Sequence, residues 1–316
     1  MPELLDPQQA TTAATGSVER MRTMMAAVRL TIFWFGVRRT LTQDQKSQAA
    51  DAFGAEETYL SAAKKLLDTS HPAFRAVTSI RSRAIGLWKG STLPYPEPGI
   101  RLIRQDDITH FGAQMRTLQS QLATAVEQLS DCYQELKTAA GERLGKLFCP
   151  ADYPETLTGY FALCFDFPSV DPPEYLKLLS PELYEQEAQR VSARFQEAVQ
   201  LAEQAFLDEF AKSVSHLAER LSGQEDGKLK VFRDSAVENL HEFFERFRHL
   251  SVHSSHQLDE LVDQAQRITH GVEPQTLRDN TALRQRIATQ LSGVQSVLDG
   301  LLIDRPRRNI LRRLRS

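Results

Sequence analysis

Three groups of side chains in this 316-residue sequence have types and spacings that could do chemistry. His249, His253 and His256 are four and three residues apart, which on one continuous helix would align three imidazoles with Glu245 and Glu260 at the ends. Neutral imidazoles and a carboxylate are a zinc donor set. Ser251, Ser254 and Ser255 interrupt the run with turn-forming residues, and a turn there scatters the rings. The trio is therefore a weak candidate metal site, and a polar helix junction is the preferred reading. GERLGKL at Gly141 to Leu147 invites comparison with a phosphate-binding loop. It has three residues between its glycines where four are needed, and Leu147 where a magnesium-binding hydroxyl belongs. The glycines more simply end a helix. The third group is the arginine-rich terminus, Arg305, Arg307, Arg308, Arg312, Arg313 and Arg315, with Ile310, Leu311 and Leu314 between. Guanidinium groups pair bidentately with phosphate, so this segment is the candidate for binding nucleic acid or an acidic partner. No residue is assigned a catalytic role, and no cofactor is implied.

Composition narrows the classes open to such groups. With 41% hydrophobic and 25% charged residues, the chain can bury a real core. Cys132, Cys149 and Cys164 are odd in number and form no C-x-x-C pair, which argues against a disulfide framework or a zinc knuckle and fits a reducing cytoplasm. The longest apolar run, Met24 to Val37, is short of the ~20 residues of a spanning helix and contains Arg29. No membrane partner or export signal is expected. Six of the 38 basic residues follow the last of the 41 acidic ones, Asp304, so an acidic body precedes a basic tail.

The elements that must position these groups are mainly helical. Residues 1–17 hold little that could enter a core and are expected to be a flexible arm. Residues 18–304 are expected to form one mainly helical domain, and 305–316 the arginine-rich tail. Val28 to Phe35 alternates with period two and reads as a strand buried on both faces. Tyr160 to Phe167 reads as its partner, and Ile100 to Ile103 as a short third strand, giving a small sheet. Thr42 to Leu67 reads as one or two helices broken near Gly54, and Pro72 opens the next.

The strongest periodicity is Ile108, Phe111, Met115, Leu118, Leu122, Ala125, Leu129, Cys132 and Leu136, an a/d heptad seam on a long helix spanning about residues 105–141. A second long helix, 181–221, starts at Pro181 after Ser180 and carries Tyr184, Ala188, Val191, Phe195, Ala198 and Ala202, then Phe206, Phe210, Val214, Leu217 and Leu221. The two are expected to pair as an antiparallel coiled-coil-like hairpin. Helices near 234–250, 255–270 and 276–302 complete a C-terminal bundle.

The order of the early strand ending in Trp34, the turn from Leu93-Pro94 to Gly99-x-Arg101, the long helix after it, Tyr153-Pro154 with its strand, and RDSAVENL at Arg233 to Leu240 resembles a helical family of unknown function. Its members occur in phages, plasmids and some bacterial genomes, encoded beside MoxR- or CobS-type AAA ATPases and CobT-like von Willebrand domain proteins. The likeness covers Val28 to about Leu302 and carries no established catalytic residues. It implies a non-catalytic accessory or adaptor protein of a mobile-element system, with a MoxR-type ATPase as partner. The alternative is a nucleic-acid-binding protein acting through its tail.

Overall fold

The computed structural model describes residues 7–222, 224–225, 228–229 and 233–303. They begin with α1 (Pro7–Met24), β1 (Met25–Phe33), β2 (Arg38–Thr40), α2 (Gln43–Phe53), β3 (Ala63–Lys65) and α3 (Pro72–Gly90). There follow β4 (Thr92–Pro94), β5 (Ile100–Arg104), α4 (Ile108–Asp131), α5 (Tyr133–Leu144) and β6 (Ala162–Asp166). A short α6 (Leu176–Leu179) precedes the long α7 (Pro181–Ser222), the two-residue strands β7 (Gln224–Glu225) and β8 (Lys228–Leu229), and α8 (Ser235–Leu250). The last three elements are α9 (His256–Thr269), α10 (Pro274–Asp279) and α11 (Thr281–Ile303). The fold is mainly helical with a small antiparallel sheet, whose strand order is β4-β5-β1-β6.

The chain divides into two compact units. One comprises residues 28–91 and 105–168; the other comprises 1–27, 92–104 and 169–316. In the first, α4 packs on α3. The heptad positions Phe111, Met115, Leu118, Leu122, Ala125 and Leu129 are all buried, as their spacing requires, and they meet the face of α3 that buries Phe74, Val77, Ile80 and Ala84. The expected helix over 105–141 is interrupted at Cys132, whose φ of −99° and ψ of 4° end α4, and α5 carries the apolar stripe on through Tyr133, Leu136 and Ala140. Gly145 ends α5 with φ 49°.

The strand pair read from the sequence is present, β1 against β6 in the register Arg29↔Asp166, Thr31↔Cys164 and Phe33↔Ala162. Burial on both faces is not. Phe33 is 54% exposed, and Arg29 bonds Asp166 at 2.5 and 3.0 Å across the solvent face. The sheet has one covered side here, and period-two alternation alone does not say how many faces are covered. The stretch taken as helix through Leu67 divides at the left-handed Gly54 cap of α2, after which β3 pairs with β2. Its central residue, Lys64, is turned inward, with Nζ 2.7 Å from Asp152 Oδ2 and donating to the Leu147 carbonyl at 2.7 Å.

In the second unit, α7 packs on α11, α8 and α1. The predicted seam is buried from Val191 to Leu221, and Val199, Leu207, Ala211 and Ala218 are buried beside it. The apolar face is wider than an a/d stripe because several helices share it. Phe206 and Phe210 of α7 stack against Phe243, Phe244 and Phe247 of α8, with ring centroids 5.0–6.4 Å apart. Each long helix has a partner inside its own unit, α3 for α4 and α11 for α7. A further correction concerns the N-terminus: the segment expected to be an arm through residue 17 is helical from Pro7. Ser17 and Met21 are fully buried, so α1 is anchored by its second half.

Candidate functional site

The histidine trio lies where α8 gives way to α9. α8 ends at Leu250, Ser251 is its cap, and the chain turns through His253 at φ 50° before Ser255 caps α9 by accepting from the Leu258 amide at 3.3 Å. His249 is thus in the last turn of one helix, His253 in the linker and His256 at the start of the next. Each ring or backbone has its own partner. His253 Nδ1 is 3.2 Å from Asp259, His256 Nδ1 is 3.5 Å from Glu260, and the His249 carbonyl accepts from Arg104 at 2.9 Å. Burial raises the Asp259 pKa above the usual carboxylate value, with His253 opposing the shift. The linker places the trio on three separate segments, and among the described residues no group of three or more His, Cys, Asp or Glu is placed to hold a metal ion.

The six arginines from Arg305 to Arg315 lie outside the described residues. What precedes them is α11, whose exposed last residue, Ile303, is 82% accessible.

Two surface features of the second unit were not read from the sequence. The first is apolar. Tyr175, Leu178, Leu179 and Leu183, around α6 and the first turn of α7, are 62, 90, 77 and 50% exposed. Between Asp171 and Arg190 the sequence carries five acidic and two basic residues, so this apolar cluster has an acidic setting. The second is cationic. A groove of about 540 Å³ runs between α9 and α11. One lip carries Gln264 and Arg267 and the other Arg286 and Gln290, with His270 in the connection. Its floor is the aliphatic side chains of Ile268, Val272, Leu283 and Ile287. The signal was present as spacing, i and i+3 on α9 and i and i+4 on α11, but it reads as ordinary solvated polarity until the two faces are brought together.

The first unit holds a smaller cavity of about 230 Å³ lined by Leu66, Leu67, Asp68, Leu136, Ala140 and Arg143. Asp68 accepts from the Ser70 hydroxyl and amide at 2.5 and 2.9 Å and pairs with Arg143 at 2.9 Å, and these bonds bring its pKa down to about 2. Asp68 and Arg143 are thus paired with each other, and Lys65 also lines the cavity.

Among the described residues no helix is long and apolar enough to cross a membrane. No family model, curated protein or solved structure matches the chain.

Proposed function

We propose that this chain is a non-catalytic accessory or adaptor protein of a mobile-element or phage-related system, working in the cytoplasm, whose partner is a MoxR-type AAA ATPase. The observation that carries the adaptor role is the exposed cluster of Tyr175, Leu178, Leu179 and Leu183. Scattered surface leucines are ordinary, but four large apolar side chains left accessible within the nine residues Tyr175 to Leu183, across α6 and the first turn of α7, favour a surface kept for a partner. The resemblance of the sequence to proteins encoded beside such ATPases supports the choice of partner. On this reading Leu178, Leu179 and Leu183 supply the apolar anchor.

Co-purification of the tagged full chain with a MoxR-type ATPase encoded next to its gene tests this. Capture is expected, and Leu178→Asp with Leu179→Asp should abolish it while leaving the thermal melt unchanged, since both side chains are exposed. No capture, or capture indifferent to the double substitution, overturns the reading.

The density of arginine after Asp304 favours a second reading, nucleic-acid binding through Arg305, Arg307, Arg308, Arg312, Arg313 and Arg315. Such binding would come largely from counterion release, with a log-log salt slope of about −0.9 per phosphate neutralised on duplex DNA. Shift assays on full-length protein and on a chain truncated after Asp304, across a salt series, test it. Binding that survives truncation, or none at low salt, removes this reading.

A further inference from the structure

We propose that the groove between α9 and α11 binds an acidic peptide segment carrying aliphatic side chains, and that Arg267 and Arg286 are the residues that select it. Helices packed side by side commonly place opposite charges on the two lips of their groove, where they support each other. Here both lips carry arginine, each with a carboxamide one turn away, Gln264 on α9 and Gln290 on α11. No carboxylate lines the groove, and among the described residues neither Arg267 nor Arg286 forms an ion pair.

Helix electrostatics account for one of the two arginines and not the other. Arg267 lies in the last turn of α9, where a cation complements the negative end of the helix dipole. Arg286 is the sixth residue of α11, beyond the first turn where a helix end exerts its field, so helix electrostatics give no reason for it. A neighbouring arginine of the same helix, Arg284, is turned inward onto backbone carbonyls of α7. Arg286 has no such employment and faces the groove.

The floor decides which anion. A bare phosphate would leave Ile268, Val272, Leu283 and Ile287 uncovered. Single-stranded nucleic acid binds through aromatic platforms on which bases stack, and no aromatic ring lines this groove apart from His270. A helix or extended segment with Leu or Ile on one face and Glu or Asp beside it covers the floor and pairs the lips, and arginine is the cation most often found as an anchor in such interfaces. The groove volume falls within the ~300–1,000 Å³ of ligand clefts. This deepens the adaptor reading only in that it supposes a protein partner.

The test is fluorescence anisotropy with the full chain and a labelled peptide of about four helical turns, Leu on one face and Glu on the other. Its controls are the same peptide with Lys for Glu and a single-stranded oligonucleotide. Saturable binding of the Glu peptide alone is expected, weakening at least about tenfold in Arg267→Glu with Arg286→Glu and less in Arg267→Gln with Arg286→Gln. Both arginines are exposed, so the circular-dichroism melt should not move, and the glutamine pair carries the test if the reversal variant fails to fold. The proposal falls if the Glu peptide does not bind, if the Lys peptide binds as well, if charge reversal leaves affinity unchanged, or if the oligonucleotide is the probe that charge reversal releases. The two readings fail separately. An ATPase captured by wild type and by the charge-reversal variant alike, with no peptide binding, keeps the adaptor and removes this groove. Peptide binding lost on reversal, with no ATPase captured, does the opposite.

Discussion

At the scale of single residues, the polar groups that matter most for stability are those whose partners are backbone atoms. Tyr153 is 5% exposed and its hydroxyl donates to the Leu66 carbonyl at 2.9 Å, while Tyr133 donates to the Pro154 carbonyl at 2.9 Å. Burial, with Tyr153 and Tyr160 nearby, pushes the Tyr133 phenol up to about 12, so both hydroxyls stay protonated donors at any physiological pH. Tyr153→Phe keeps the ring and removes the donor, leaving the Leu66 carbonyl short of a partner. We expect a loss of about 1–3 kcal/mol, read from a urea melt, and an unchanged melt would show that water replaces the bond. Asp68 gives the opposite kind of residue, half-buried at the rim of a cavity and charged. Its folded pKa of about 2 lies below the ordinary carboxylate value, so its contribution is fully present above about pH 4 and is lost as pH falls through 2. Asp68→Asn should therefore lower stability at pH 7 and flatten the acid limb of the stability curve. A carboxyl NMR titration of wild type placing Asp68 near pH 4 would refute the assignment.

At the scale of elements, the ends of helices show how the folded chain compensates for what periodicity omits. The last carbonyls of α7 have no intrahelical donors, and Arg284 of α11 meets those of Leu221 and Arg220 at 2.9 and 2.8 Å while itself only 5% exposed. Cation and helix C-terminus are matched in sign. Arg284→Met retains the stem and removes both bonds, and we expect a cost of about 2–4 kcal/mol in a denaturant melt, with Arg284→Lys recovering part of it. Equal stability of the Met variant would mean the carbonyls are hydrated instead. Nothing in the sequence around Arg284 announces this, because the partner is more than sixty residues away. The same limit separates what was legible from what was not. The seam positions Phe111 to Leu129 and Val191 to Leu221 were legible because a 3.5-residue period marks a buried face whatever covers it. The pairing of β1 with β6 was legible because both alternate with aromatic and β-branched residues. β3 was not, since SAAKK has helical propensity and its inward Lys64 breaks any alternation, its burial being stabilised by Asp152 and the Leu147 carbonyl. α1 was missed because Ala, Thr and Gln carry no apolar period before Val18 and Met21. The cationic groove needs two helix faces, and no linear window contains both.

At the scale of the whole molecule, the two units share an interleaved chain, which leaves the first unit and returns to it, yet each has its own buried seam. A heptad pattern states that a face is apolar and leaves its partner open. Within its own unit, α3 packs over the face of Leu118 and Leu122, and α8 and α11 pack over that of Phe206 to Leu221. This separation sets how damage spreads. Leu122→Asp places a carboxylate at a position only 3% exposed, with no cation at hand among the seam residues, and burial of such a charge costs several kcal/mol. If α3 is the partner, amide hydrogen exchange in this variant should lose protection throughout α3 and α4, whose faces depend on each other, while α7 and α11 stay protected by the phenylalanine cluster and the Arg284 cap. Phe243→Ala, which removes a fully buried ring from that cluster, should cost about 3–5 kcal/mol and produce the mirror image, protection lost in α7, α8 and α11 and kept in α3 and α4. Simultaneous loss in α4 and α7 from either substitution would overturn this separation and make the two seams a single cooperative unit.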